Sequence, residues 1–203
     1  MSPEPKAVRL ADLPPTARRI FDAAQTILSE RGYAELTMAA LEQESGVNRA
    51  LVSYYFGSKA GLVGALIDSL FQSPDDAGVQ QIRAESRGPE RTRRFLEWQR
   101  GVSADDRINR MLYELLPHAL RDPKVRGRFA EEYRIYREVD GDCLASAPRE
   151  LSDEEADALA AVSIAVVEGL GIQRALDPEG FDHERAWRAW RDVIGAYLLL
   201  HGA

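Results

Sequence analysis

The segment from Asn48 to Tyr54 carries Asn48, Arg49, Ser53 and Tyr54, side chains that donate to phosphate oxygens or to the edges of bases. Arg49 is the best candidate for reading a base, because a guanidinium fits both acceptors on guanine's major-groove edge and a shorter or neutral side chain does not. Asn48 and Ser53 suit a base or a phosphate, and Tyr54 offers a hydroxyl to a nucleic-acid backbone. Ala50 and Leu51 offer apolar contact, for instance to a thymine methyl. Thr37 and Lys59 stand where two helices should begin, and there the free N–H groups and the helix dipole favour a phosphate oxygen. Capping or plain solvation is the competing role for each of these residues. Tyr55 and Phe56 read as core.

These residues must be positioned by the elements around them. Residues 37–61 read TMAALEQESGVNRALVSYYFGSKAG. Thr37 can cap a short helix to which Met38, Leu41 and Val47 give an apolar side. Ser45-Gly46-Val47 makes a turn in which Gly46 is free to take a positive φ. Asn48 can cap a second short helix and Ser58 a third. Two helices joined by a glycine-containing turn form the helix-turn-helix that enters the major groove of DNA.

The segment resembles the N-terminal domain of the TetR family of transcriptional repressors. The resemblance rests on Thr37, Leu41, Gly46-Val47, Tyr54, Phe56 and Ser58-Lys59. A preceding helix, Arg18-Arg19-Ile20-Phe21-Asp22-Ala23-Ala24, runs to Gly32-Tyr33. The motifs cover roughly the first third of the chain, and the rest matches in length and helical character. Glu42 stands where the family has a small residue, and Ser53 where it has a phosphate-contacting tyrosine.

The resemblance implies an all-α fold with an N-terminal three-helix DNA-binding domain and a C-terminal helical ligand-binding and dimerisation domain. The expected division is a flexible arm over 1–15, a DNA-binding domain over 16–60, and an effector-binding and dimerisation domain over 61–203. It also implies a repressor that a small-molecule effector releases from an inverted-repeat operator. The alternative is a DNA-binding adaptor or architectural regulator without an effector.

A length of 203 residues suits one compact unit or two small ones. The net charge of −7 is unevenly placed, since residues 1–59 balance seven basic against seven acidic side chains and the remainder carries the excess. Few phosphates can then be neutralised, so non-specific DNA affinity should be weak. One cysteine, Cys143, excludes an internal disulfide and fits a reducing cytoplasm. The chain shows no secretory leader and no apolar run near the ~20 residues that span a bilayer, so no membrane role is expected.

Helical spacing continues to the end of the chain. It predicts helices from Thr16 to Arg31, from Lys59 to about Phe71, through Phe95, Trp98 and Val102, through Ile108–Ala119, from Val125 towards Leu144, from Ala156 to Leu176 and from His183 to Leu200. Residues 73–90, with Pro74, Gly78, Gly88 and Pro89, read as a loop or a weakly ordered helix. Pro148 should stop one helix, and Ser152 with Glu155 should form a capping box for the next. Arg91, Arg93 and Arg94 suggest either a second nucleic-acid patch or a solvated helix face.

The last two helices are apolar on more than a narrow stripe, which either a partner subunit or the core of the monomer could bury, and the resemblance favours a homodimer built through them. Candidate walls of an effector pocket are Trp98, Met111, Tyr113, His118, Phe129, Tyr133 and Tyr136, with Glu168 or Gln173 as polar orienters. For each of them ordinary packing competes with ligand contact. An enzyme is not expected. The three histidines, His118, His183 and His201, and the lone cysteine form no nucleophile or metal-ligand set, and no cofactor is indicated. Gly169-x-Gly171-x-x-Arg174 departs from a dinucleotide loop at its third position and reads as close helix packing.

Overall fold

The computed structural model describes residues 13–71, 77–145 and 151–201, and the side chain of His201 is not among the described parts. The described residues form ten α-helices and no strands: α1 Pro15–Arg31, α2 Met38–Ser45, α3 Arg49–Phe56, α4 Lys59–Leu70, α5 Ala77–Ala84, α6 Pro89–Ser103, α7 Asp106–Ala119, α8 Pro123–Leu144, α9 Asp153–Leu176 and α10 His183–His201. The all-α expectation is met. Pro15 opens α1, so the expected arm ends before it, and residues 1–12 lie outside the described residues, as do Pro74 and Pro148. Within residues 73–90 a two-turn helix, α5, buries Val79 and Ile82.

The chain divides into two compact units. The first comprises the chain through Phe71 together with Arg110–Glu132, and the second Gln72–Asn109 together with Tyr133–Ala203. In the first unit, α1 buries Ile20, Phe21, Ala24, Ile27 and Leu28, while α4 buries Leu62, Val63, Leu66 and Ile67. Helical spacing of these apolar residues gives each helix one face to bury.

In the second unit, Phe95 and Leu96 of α6, Leu159, Val167 and Leu170 of α9, and Trp187, Ile194 and Leu198 of α10 share one apolar core. The capping box that opens α9 is complete: the Glu155 N–H donates to Ser152 Oγ, and the Ser152 N–H to the Glu155 carboxylate. By length and composition α9 would reach across a bilayer, contrary to the expectation of no such apolar run. It packs instead as a core helix against α6 and α10. The arginine patch is neutralised, because Arg91 is buried on Asp142, Arg93 pairs with Glu90 and Arg94 with Glu85.

Candidate functional site

The helix-turn-helix is built by local capping. Thr37 Oγ1 accepts from the Ala40 N–H at 3.1 Å, Asn48 Oδ1 from the Ala50 N–H at 2.8 Å, and Ser58 Oγ from the Gly61 N–H at 3.1 Å. Gly46 takes φ 63° and ψ 23°, the left-handed conformation that ends α2. Buried Ser45 stitches the turn, accepting from the Val47 N–H at 3.1 Å, and Arg19 of α1 donates to the Ser45 carbonyl at 2.7 Å.

α3 then buries Val52 and Phe56 and presents Arg49, Ala50, Ser53 and Tyr54 to solvent, with Tyr54 77% exposed. Asn48 and Thr37 are exposed beside it. The predicted DNA-contacting residues of the first unit thus lie at the surface, with Lys59 half-buried at the start of α4. The Lys59 ammonium stands 4.6 Å above the centre of the Tyr33 ring, and burial holds it below the usual lysine range.

Several residues of this unit escape sequence reading. The Tyr33 N–H donates to Glu114 Oε2 of α7 at 2.8 Å, and the Tyr33 ring stacks on His118 with centroids 3.7 Å apart. Arg128 of α8 grips Asp68 of α4 with two hydrogen bonds. Those partners stand 60 to 85 positions apart, and nothing local marks them.

The effector-pocket candidates divide between the units. Met111, Tyr113, His118 and Phe129 lie in the first, where His118 meets Tyr33 and Phe129 packs edge-on against Phe71. Trp98, Tyr133, Tyr136, Glu168 and Gln173 lie in the second. Gln173 is exposed, its amide donating to the Gly169 carbonyl at 3.3 Å.

In the second unit, side chains on α8 meet α6 and α9 at three levels. Tyr133 donates to Glu168 of α9 at 2.5 Å. Tyr136 lies 6.4 Å from Trp98 of α6, which itself stacks on Phe95 at 5.6 Å. Asp140, fully buried, accepts from Gln99 of α6 at 2.7 Å, and Gln99 accepts from Ser163 of α9 at 3.0 Å. Among the described residues the second Asp140 oxygen has no hydrogen-bond partner. Burial pushes the carboxyls of Glu168 and Asp140 above their ordinary range; the Tyr133 and Gln99 hydrogen bonds oppose it.

Comparison with known proteins agrees with this architecture. Residues 20–66 match the sequence profile of bacterial regulatory proteins of the tetR family, and residues 89–199 match that of the BetI-type transcriptional repressor C-terminal domain. The HTH-type transcriptional regulator BetI of Paraburkholderia xenovorans is 25% identical over 184 residues, 89% of this chain and 92% of that protein. The regulator TtgR of Pseudomonas putida is 38% identical over 60 residues, 30% of this chain and 29% of that protein.

A transcriptional regulator from Saccharomonospora viridis, solved in complex with choline, shares the fold with TM-score 0.72 and 23% identity, over 88% of this chain and 94% of that one. A TetR regulator from Haloarcula marismortui does so with TM-score 0.73 and 18% identity, over 89% of this chain and 97% of that one. With its capped helix-turn-helix and a BetI-type profile over more than half its length, the chain belongs to the TetR family of helix-turn-helix transcriptional regulators.

Proposed function

We propose that the chain is a homodimeric cytoplasmic repressor, not an enzyme, and that a small quaternary-ammonium effector releases it from an inverted-repeat operator. The observation that carries the DNA part is the exposed face of α3, where Arg49, Ser53 and Tyr54 stand free of the apolar core. Residues 16–60 supply the DNA contacts: Arg49 reads a base, while Thr37, Asn48, Ser53, Tyr54 and Lys59 meet the backbone or a neighbouring base.

Residues 61–203 supply the effector site and the dimer. Exposed Val162, Ile172 and Leu176 of α9 and Val193, Leu199 and Leu200 of α10 support a two-fold interface through these helices. A two-fold dimer meets half-sites roughly 34–36 Å apart, or a multiple of that spacing. Trp98, Tyr133, Tyr136 and Glu168 support a cationic effector, and the choline bound by the Saccharomonospora protein suggests its class. Such an effector acts only through its different affinity for the operator-bound and released states.

The test is selection of duplexes from random-sequence DNA by the purified protein, followed by fluorescence anisotropy at two salt concentrations with and without choline. The reading expects an inverted repeat, binding that persists against competitor at the higher salt, and release by choline. Weak, sequence-blind binding erased by salt would refute the DNA part. Binding indifferent to choline and related quaternary amines would refute the effector part.

A further inference from the structure

The first unit holds a cleft of about 560 Å³. One wall comes from the end of α3 and the length of α4, the other from the start of α8. That volume is in the range of a small-molecule site. Its lining is mainly apolar, with Phe56, Val63 and Ile67 on one side and Val125 on the other. Its lining residues all belong to the first unit, whereas Trp98, Tyr133, Tyr136 and Glu168 lie in the second.

The polar groups on this wall are unequally committed. Asp68 is gripped by Arg128, and Asp122 Oδ1 accepts from the Lys124 N–H at 2.8 Å. Both carboxylates thus already have protein donors. Arg128 uses Nε and Nη2 on Asp68 and keeps Nη1, which lies over Gly64, 3.2 Å from where a methyl there would stand. Lys124 is exposed, and neither its ammonium nor the Tyr55 hydroxyl has a hydrogen-bond partner among the described residues. Uncommitted donors, one of them fully charged, beside an apolar lining suit an organic anion. Its oxygens meet the donors and its body meets the lining.

We propose that this cleft is a second small-molecule site, separate from the effector site in the second unit, which takes an organic anion with an apolar body and weakens DNA binding when filled. Lys124, Arg128 Nη1 and the Tyr55 hydroxyl hold the anionic head, and Phe56, Val63, Ile67 and Val125 cover the body. The cleft also reaches the joint between α3 and α4. There Gly57 has φ 72° and ψ −45°, and the Ser58 N–H donates to the Phe56 carbonyl at 2.8 Å in a three-residue turn. Gly61 packs so closely that a methyl on it would overlap the same carbonyl oxygen. A molecule lodged against Phe56 and Gly57 therefore bears on the seat of α3. Its negative charge also opposes the approach of this unit to phosphates.

The test titrates the full chain with naphthoate by calorimetry, using naphthylmethanol and naphthylmethyl-trimethylammonium as neutral and cationic counterparts. Naphthoate should bind at least about tenfold more tightly than either. Lys124→Gln should lower its affinity on the order of tenfold, and Tyr55→Phe by less. Arg191→Gln should change nothing, since Arg191 lines a separate apolar groove of about 270 Å³ between α6 and α10. Amide NMR should show shifts at Gly57, Gly61 and Val125, and choline should not displace the probe. Saturating naphthoate should lower the affinity for a selected duplex several-fold at constant ionic strength. No binding of naphthoate at millimolar concentration, equal binding of all three probes, indifference to Lys124→Gln, loss in Arg191→Gln, or displacement by choline would each overturn the site. Unchanged DNA affinity at saturation would overturn its coupling to α3. Direct binding decides the site without DNA, so its failure is distinct from any failure of the DNA reading.

Discussion

Tyr33 is held between two side chains, with His118 stacked on its ring at 3.7 Å between centroids and the Lys59 ammonium 4.6 Å from the same centroid. Its N–H adds a 2.8 Å bond to Glu114. The loop after α1, the start of α4 and the middle of α7 thus converge on one tyrosine, and Gly32 makes the convergence possible. Gly32 has φ 88°, and a methyl there would stand 2.9 Å from the Glu114 carboxylate.

Gly32→Ala should therefore combine left-handed strain with displacement of Glu114. The expected cost is about 1–2 kcal/mol, read as a Tm lower by roughly 2–8 °C. An unchanged Tm in thermal denaturation would show that this contact carries little of the unit's stability.

Thr37→Ala separates capping from DNA contact. Loss of the Ala40 cap should cost about 1 kcal/mol of stability. A phosphate contact would add a uniform loss of DNA affinity beyond what the fraction unfolded explains. Denaturant midpoints and anisotropy on the same samples separate the two.

Effector binding should depend on Glu168. Burial raises its carboxyl above the ordinary range, and a cation prefers the ionised form. Affinity for choline should therefore rise with pH until Glu168 is fully ionised, then level off. Glu168→Gln should weaken binding at least about tenfold and flatten the profile, the loss of one charge-assisted contact. Calorimetric titration at several pH values would show it, and a choline affinity unaffected by Glu168→Gln would move the cation elsewhere.

Asp140 makes a prediction about stability. Fully buried, its carboxyl titrates well above the ordinary range chiefly because of desolvation. Its contribution is complete below the unfolded value of about 3.9 and is lost as pH rises through the raised folded value. Asp140→Asn keeps an acceptor for Gln99 without the charge, so its Tm should fall less than that of wild type as pH rises. Parallel Tm profiles for the two proteins would contradict this.

What was legible in the sequence was what is local. Thr37, Asn48, Ser58 and Ser152 each accept from an N–H two or three positions ahead, so their motifs announce the helix starts directly. Gly46 announced the turn for the same reason. The short helix α5 was ambiguous because its flanking glycines and prolines mark loops, while Val79 and Ile82 gain their value only from burial. The Asp68–Arg128 grip and the Tyr33 stack join residues far apart in sequence, and no periodicity encodes such a meeting. Among the pocket candidates, helical spacing marked aromatic residues without distinguishing His118, set against Tyr33 in one unit, from Trp98, set against Tyr136 in the other.

Whether α3 reads DNA through Arg49 is decided by one comparison. Wild type and Arg49→Ala would be titrated against the selected duplex and all its single-base-pair variants. Arg49→Ala should lose roughly 1–3 kcal/mol of discrimination at one base pair and keep its preferences elsewhere. Lys59→Ala, run alongside, should weaken every duplex about equally and lower the salt slope by about one. Unchanged preference at every position in Arg49→Ala would contradict the assignment of Arg49 as the base-reading residue.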